Sequence, residues 1–514
     1  MLLPVDMRDW LPDNHLVWFV LDAVDELDVN VLEQRRRIGG AGTCGYDPRM
    51  LIALLIYAYC QGTRSSRQIE RMCVTDVAFR VLCAQDVPDH ATIARFRASA
   101  QDAFRDLFGQ VLMVAARAGL GNFGTVAIDG TKIRANASID ANRGKDWFEQ
   151  QAQAVIEDAV KIDQLEDARA STESVNQQCD RVPAELADRT RRRDRIRQAA
   201  QELDAQTQRR ARVEEDRQRA AAARRQRSED GQPVVGRIPD GPHRLAEARA
   251  HLGREIAMHQ AKLDRYARLL SERQKPMGRP PLPMEQCGRI ARARRVVANA
   301  EAAAARAAMV PDEGKPGKGL PAIVANTTDP QSRIMPTRRG FLQGYNAQFA
   351  VTADQLIVAV QVGQSTNDQA CFLPMMRAAQ DAARHMHAGS GSNAHVIGTV
   401  LADAGYSSDA NLTAEGPDRL IALGKGRDQA RAAAEEPAHG PPAPDATPRE
   451  ANAHRLRTPE GRELYKRRGA TVEPGIGNFK KILDRLSRRG LNSADSELHL
   501  AAIAFNLLKA HRAA

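Results

Sequence analysis

GTVAIDGTKIRA, residues 124–135, opens on a short apolar run of β type and closes it on an acid, Asp129. Similar runs return much later in the chain, as YNAQFAVTA (345–353), LIVAVQVGQ (356–364), HVIGTVLADAG (395–405) and RLIALGK (419–425). Between the second and third of these lies DQACFLPMMRAAQDAARHM (368–386), with helical apolar spacing. Short strands with a helix crossing over predict an α/β sheet. TVLAD repeats the pattern of VAID, an apolar strand closed by an acid, here Asp403. Strand ends set carboxylates along one sheet edge, where parallel neighbours converge on a shared ligand. Clustered carboxylates repel one another unless a cation neutralises them. Oxygen-only ligands suit Mg²⁺ or Mn²⁺, and a pair of such ions serves phosphoryl transfer. Each Asp equally fits a plain turn after a strand, so the pattern alone leaves both readings open.

Outward from this sheet the texture is helical. LVWFVLDAVDELD (16–28), MLIALLIYAYCQG (50–62), SSRQIERMCVTD (65–76) and DHATIARFRASAQD (89–102) carry helical spacing. Asp47-Pro48 and Asp89 are helix-start signals. Several short helices, the last bearing Arg95 and Arg97, suit a helix-turn-helix DNA reader or a plain helical bundle. Residues 146–309 are rich in Ala, Arg, Gln and Glu and strongly helix-forming, with breaks at 228–242 and 275–283. Their thin apolar seam predicts a long helical hairpin or coiled coil. The Ala/Pro-rich stretch 427–452 reads as a flexible loop, and 472–488 and 493–511 as closing helices.

The whole chain has 514 residues, enough for two or three domains. Its hydrophobic share of 43% is ordinary, while an aromatic share of 4% points to a core of Ala, Val, Leu and Ile. A net charge of +10 and a pI near 9.4 favour a polyanionic partner, although an arginine-heavy composition gives the same excess. The seven cysteines show no CxxC pair, which argues against a zinc site or a disulfide framework. Asp6 stands where a secretory leader wants Lys or Arg, and no apolar run approaches membrane-spanning length, so a cytoplasmic location is expected.

Four stretches carry a family resemblance. They are IDGTKIRANAS (128–138), ANTTDPQSRIMPTRRGFLQGYNAQFAV (325–351), LADAGYSS (401–408) and YKRRGATVEPGIGNFK (465–480). With GYDPRMLIALLIYAYCQGTRSSRQIE (45–70), they resemble the DDE transposases of bacterial insertion sequences, a ribonuclease H-like superfamily. Among the IS four/IS five-like elements the chain looks closest to the IS eleven-eighty-two branch, which has a long helical insertion after the first aspartate. The resemblance covers most of the chain outside that insertion and the 427–452 stretch. It implies an endonuclease and strand-transfer enzyme acting in DNA recombination. Asp129, Asp403 and Glu473 would be catalytic and would hold two Mg²⁺ or Mn²⁺ ions. It further implies DNA contacts by Tyr465, Arg468 and Lys480. Four residues separate Arg468 from Glu473 where the family more often has three, which leaves the role of Arg468 or Arg467 open. Lys480 lies seven positions beyond Glu473, two helical turns on, so both can face one groove. Glu473 precedes Pro474 and is expected at the start of its helix. Glu450, Glu460 and Glu463 compete for the same role but lack a following amphipathic helix.

The expected organisation follows from both readings. Residues 1–118 form a helical DNA-binding domain, with Arg95 and Arg97 on DNA. A ribonuclease H-like core spans 119–145 and 310–426 and finishes in 453–514, with 146–309 inserted and 427–452 a loop. Partners are the inverted-repeat ends of the element and target DNA, handled by a homodimer or higher assembly. The rival reading is a catalytically inactive DNA-binding regulator or decayed transposase; a coiled-coil scaffold explains no acids at strand ends. Other patterns are decoys. The glycine run Gly40–Gly45 has no buried strand before it, GKPGKG (314–319) lacks phosphate-loop spacing, and His385 and His387 diverge on a helix.

Overall fold

The computed structural model describes residues 6–34, 36, 45–151, 184–230, 242–272, 280–308, 323–337, 340–424 and 426–513. Residues 40–44 of the glycine run, GKPGKG (314–319) and 152–183 of the insertion lie outside them. The chain divides into two units, 1–202 with 324–514, and 203–323.

The first unit begins with seven helices: α1 (Leu16–Asp25), α2 (Asn30–Glu33), α3 (Pro48–Cys60), α4 (Ser66–Thr75), α5 (Val77–Leu82), α6 (His90–Ser99) and α7 (Ala103–Arg117). Their starts follow sequence chemistry. Asp47 accepts from the Arg49 amide with Pro48 at the first helical position, and Asp89 accepts from the amides of Ala91 and Thr92. Every side chain of α3 from Leu51 to Tyr59 is buried, so α3 runs through the core instead of over it.

The strands are β1 (Thr125–Arg134), β2 (Asn142–Arg143), β3 (Ala325–Asn326), β4 (Arg333–Thr337), β5 (Gly340–Thr352), β6 (Ile357–Gly363), β7 (Thr399–Ala402) and β8 (Asp418–Ile421). β2 and β3 pair by themselves, and the other six form one mixed sheet. β5 joins β6, β4 and β1 antiparallel, while β1, β7 and β8 run parallel. Thus the order from β6 through β5, β1 and β7 to β8 has β1 at its centre.

The remaining helices of this unit are the first part of α8 (Ala184–Glu229), α11 (Phe372–Ser390), α12 (Asp409–Thr413), α13 (Gly426–Glu435), α14 (Pro448–Arg457), α15 (Pro459–Ile482) and α16 (Leu491–Ala513). α15 packs on one face of β1 and β5, where Phe479 meets Phe349 edge-on at 4.8 Å between ring centres. Full burial of one such ring is worth about 2 kcal/mol. α11 packs across the other face. α16 is buried all round and packs on α3, α7 and β6, so N-terminal helices and sheet share one continuous core. The second unit contains the rest of α8, α9 (Pro242–Ser271) and α10 (Gly288–Ala308). α9 and α10 pack through Ala248, Val297 and Ala300, flanked by Leu245, Leu252 and Val296. Ion pairs Arg224–Glu247 and Arg249–Glu301, each at 2.8 Å, flank that small seam.

Several boundaries differ from the sequence reading, three of them near the candidate site or the expected loop. β1 continues five residues past Asp129 to Arg134, because β5 keeps its antiparallel ladder through Gly344. Asp129-Gly130 is therefore mid-strand, not a turn, and Gly130 answers a packing need: a Cβ there would lie 2.3 Å from Gln348 Nε2. Residues 427–435 of the expected loop are helical, and Thr447 with Glu450 forms a reciprocal cap opening α14. The last difference concerns Glu473, which lies in mid-helix: α15 starts instead at Thr458-Pro459, and Pro474 stands inside it. Burial of Val472, Gly475, Ile476 and Phe479 carries the helix through the missing amide of Pro474.

Candidate active site

β1 and β7 pair in parallel from Thr125–Thr399 to Ile128–Ala402. The next residue on each strand is Asp129 and Asp403, so the register sets the two carboxylates side by side where the parallel ladder ends. Arg468, projecting from α15, spans them: its guanidinium lies 2.7 Å from Asp129 Oδ2 and 3.8 Å from Asp403 Oδ2. Each acid also takes a local amide, Gly130 N–H on Asp129 Oδ1 and Gly405 N–H on Asp403 Oδ1, both at 2.8 Å. Asp403 thereby caps a short 3₁₀ turn over Ala404–Tyr406, so the plain-turn reading holds for Asp403 alongside any further role.

The electrostatics are unfavourable to a second negative charge. Burial raises the Asp129 carboxyl from 3.8 to about 6; Arg468 and the Gly130 amide oppose the rise, and Asp403 and Asp368 add to it. Tyr465 is half-buried beside this pair, its phenol raised by burial, opposed by Arg468 and reinforced by Asp403 and Asp129. Lys480 has its ammonium lowered by burial, with the Asp129 charge pulling the other way. The Nε of Arg468 is buried and has no acceptor among the described residues. Such an orphan donor is costly unless something anionic meets it.

Behind the pair, on the α11 face of the sheet, lies a polar floor that sequence reasoning missed. Asp368 Oδ1 accepts from Asn346 Nδ2 at 2.6 Å, Gln348 Nε2 at 2.8 Å and Lys132 Nζ at 3.2 Å. Tyr406 donates its hydroxyl to Gln348 Oε1. Asn346 and Gln348 are 1% exposed, an uncommon burial for amides on a central strand. The signal was present in YNAQFAVTA, whose polar residues alternate at 346 and 348, but a strand with one polar face reads equally as a solvated edge.

Glu473 is carried by the same helix as Arg468. It is exposed on α15 and lies five residues beyond Arg468, about 140° around a helix of 3.6 residues per turn. Val472, one residue earlier, occupies the direction shared with Arg468 and is fully buried. Lys480 follows Glu473 by seven residues and shares its stripe. Among the described residues, no three His, Cys, Asp or Glu side chains group as a metal site. The donor set nevertheless suits a hard cation: Asp129 and Asp403 are adjacent oxygen ligands, and the guanidinium between them is the positive charge they require.

Of the other acids weighed for the third position, Glu450 is engaged in the α14 cap and Glu463 pairs with Lys466 at 3.0 Å. Glu460 lies in the first turn of α15. Arg95 is exposed on α6, its guanidinium reaching Thr92. Arg97 points inward at 7% exposure, donating to the Arg64 carbonyl at 2.8 Å and to Tyr59 Oη at 3.4 Å. Arg97 is thus engaged within the fold, because α6 turns that side toward the buried Glu497, which itself accepts from Tyr59.

Residues 5–99 match a family model described as a transposase domain (DUF772), and residues 443–511 match a transposase DDE domain. Both ends of the chain are thus similar to transposase domains. The second match takes in Tyr465, Arg468, Glu473 and Lys480, on the helix that reaches over Asp129 and Asp403. No curated protein and no solved structure matches the chain. No helix among the described residues is long and apolar enough to cross a membrane.

Proposed function

We propose that this chain is a transposase, a metal-dependent DNA endonuclease and strand-transfer enzyme of an insertion sequence, built on a ribonuclease H-like core. The observation that carries the reading is the side-by-side placement of Asp129 and Asp403 at the end of a parallel strand pair, bridged by Arg468. Asp129 and Asp403 would hold Mg²⁺ or Mn²⁺, with Glu473 as the third ligand. When bound, such ions supply Lewis-acid activation of the phosphodiester. Arg468 has a buried N–H with no acceptor among the described residues, which suits a phosphate oxygen of the DNA, and Lys480 keeps a cation beside Asp129. Tyr465 closes the side of the site against water. The likeness to the IS eleven-eighty-two branch and the use of inverted-repeat ends and target DNA belong to the same proposal, as does assembly as a dimer or higher.

Linear DNA carrying the sequence that flanks the reading frame, incubated with Mg²⁺, should be nicked at the element end and joined to a target. Asp129→Asn, Asp403→Asn and Glu473→Gln should each lower cleavage by at least about a thousandfold while DNA binding persists, and double variants should be hardly worse than single ones. Normal cleavage by Glu473→Gln would reassign the third ligand; normal cleavage by Asp129→Asn would end the proposal.

A further inference from the structure

A second basic feature lies along the same strand that carries Asp129. A groove of about 580 Å³ opens between the start of α4 and the segment after α15, lined by Arg64, Arg67, Arg97, Asn136, Arg485 and Ser487 among others. These residues come from both ends of the chain. They meet because β1 continues past Asp129 to Arg134, which bridges in parallel to Arg485, and Asn136 then donates to the Ser487 carbonyl at 2.7 Å.

The charge in the groove is unbalanced. Arg64 is engaged with Asp484 at 2.9 Å and the Arg485 carbonyl at 2.8 Å, and His90 is engaged with Glu70 at 2.8 Å. The nearby acids are therefore already paired. Arg67 and Arg485 line the groove and are exposed, as is Arg134 beside Arg485 at its edge, and among the described residues their guanidinium groups have no carboxylate. α4 opens here with Ser65 making no side-chain cap, so its first-turn amides face the groove with the positive end of the helix dipole. Arg97, 7% exposed, lines the floor with an Nε that has no acceptor among the described residues.

We infer that this groove binds the sugar-phosphate backbone of duplex DNA on the flank of the cleavage site. The inference rests on the proposed DNA-cleaving function and adds where the duplex is held. Spacing supports it. From Asp129 to Arg134 a strand rises about 17 Å at about 3.3 Å per residue, which is about five base pairs at about 3.4 Å each. The edge of the groove at Arg134 thus lies about five base pairs' length along β1 from Asp129, and the contacts made by Arg67 and Arg485 would be to phosphates on that flank. These are phosphate contacts, which hold the duplex in register without reading its sequence.

The test is fluorescence anisotropy with a labelled random-sequence duplex, titrated between about 50 and 200 mM salt, beside a cleavage assay on the same preparations. Arg67→Ala and Arg485→Ala should each reduce the slope of log affinity against log salt by about one, and the double variant by about two. Lysine at both positions should restore the slope, which a damaged fold would not allow. Arg377→Ala, on the exposed side of α11, should leave it unchanged. A double alanine variant that keeps the full slope while the wild type binds and cuts DNA overturns the groove and leaves the cleavage reading standing. A wild type that neither binds nor cuts DNA overturns both. Equal or tighter binding of an RNA duplex of the same length would reassign the groove to RNA.

Discussion

At the scale of single residues, Asp129 is an acid whose surroundings work against its own charge. Its carboxyl is raised from 3.8 to about 6, so the folded chain holds that proton more tightly than the unfolded one. Stability from this group is complete below about pH 4 and is lost as pH rises through about 6. A neutral Asn at this position escapes the loss. Asp129→Asn should therefore raise the stability of the chelated protein at pH 8 by on the order of 1–3 kcal/mol, with the gain shrinking to nothing near pH 4. Denaturant melts in EDTA at both pH values check this, and an Asn variant no more stable at pH 8 refutes it. Adjacency of Asp129 and Asp403 was legible, since VAID and TVLAD end alike and neighbouring parallel strands bring like ends together. The Asp368 floor was not, because its donors Lys132, Asn346 and Gln348 come from two distant segments whose register no local pattern states.

At the scale of elements, α15 is the helix that carries Tyr465, Arg468, Glu473 and Lys480, and Pro474 stands inside it. A proline inside a helix removes one backbone bond and crowds the carbonyl four residues earlier, here Ala470, at a cost of about 3 kcal/mol. The sequence rule that a residue before proline leaves the helical region predicted a helix start at Glu473. That rule lost to burial: Val472, Ile476 and Phe479 anchor the helix on both sides of the proline, and Gly475 lets it approach Val351. Strands β1, β5, β6, β7 and β8, by contrast, were legible because apolar runs flanked by polar turns mark them locally, whereas β2, β3 and β4 carry no such run and were not anticipated. If Pro474 serves to orient Glu473 toward the aspartates, Pro474→Ala should stabilise the protein by about 1–3 kcal/mol and still lose cleavage. Thermal melts and the cleavage assay measured on the same preparation separate the two effects. Gained stability with undiminished cleavage would mean that the proline has no part in orienting Glu473.

At the scale of the whole molecule, the sequence placed an insertion at 146–309 from composition alone, while compact packing divides the chain at Glu202 and Val324. Composition cannot see that division, since α8 is equally rich in Arg, Gln and Ala on both sides of it. Within the first unit Ala199 is fully buried, and Glu202 pairs with Arg333 at 2.5 Å, so the early part of α8 contributes to the core. Removal of residues 150–305 should therefore expose apolar surface and lose several kcal/mol, as large deletions from a packed core do. Replacement of 203–323 by a Gly/Ser linker should instead leave a soluble first unit, because loop closure costs little per added residue. Joining two DNA ends requires two active sites held together, and the mixed Arg and Glu faces of α9 and α10 suit helix pairing and contact with a DNA backbone. The shortened protein should then nick single ends at a reduced rate and fail to join paired ends. Melting curves of both deletions, with nicking and joining scored separately, check each part. Full paired-end joining after loss of 203–323 would show that the second unit is dispensable for assembly, and equal stability of the two deletions would show that α8 before Leu203 adds nothing to the core.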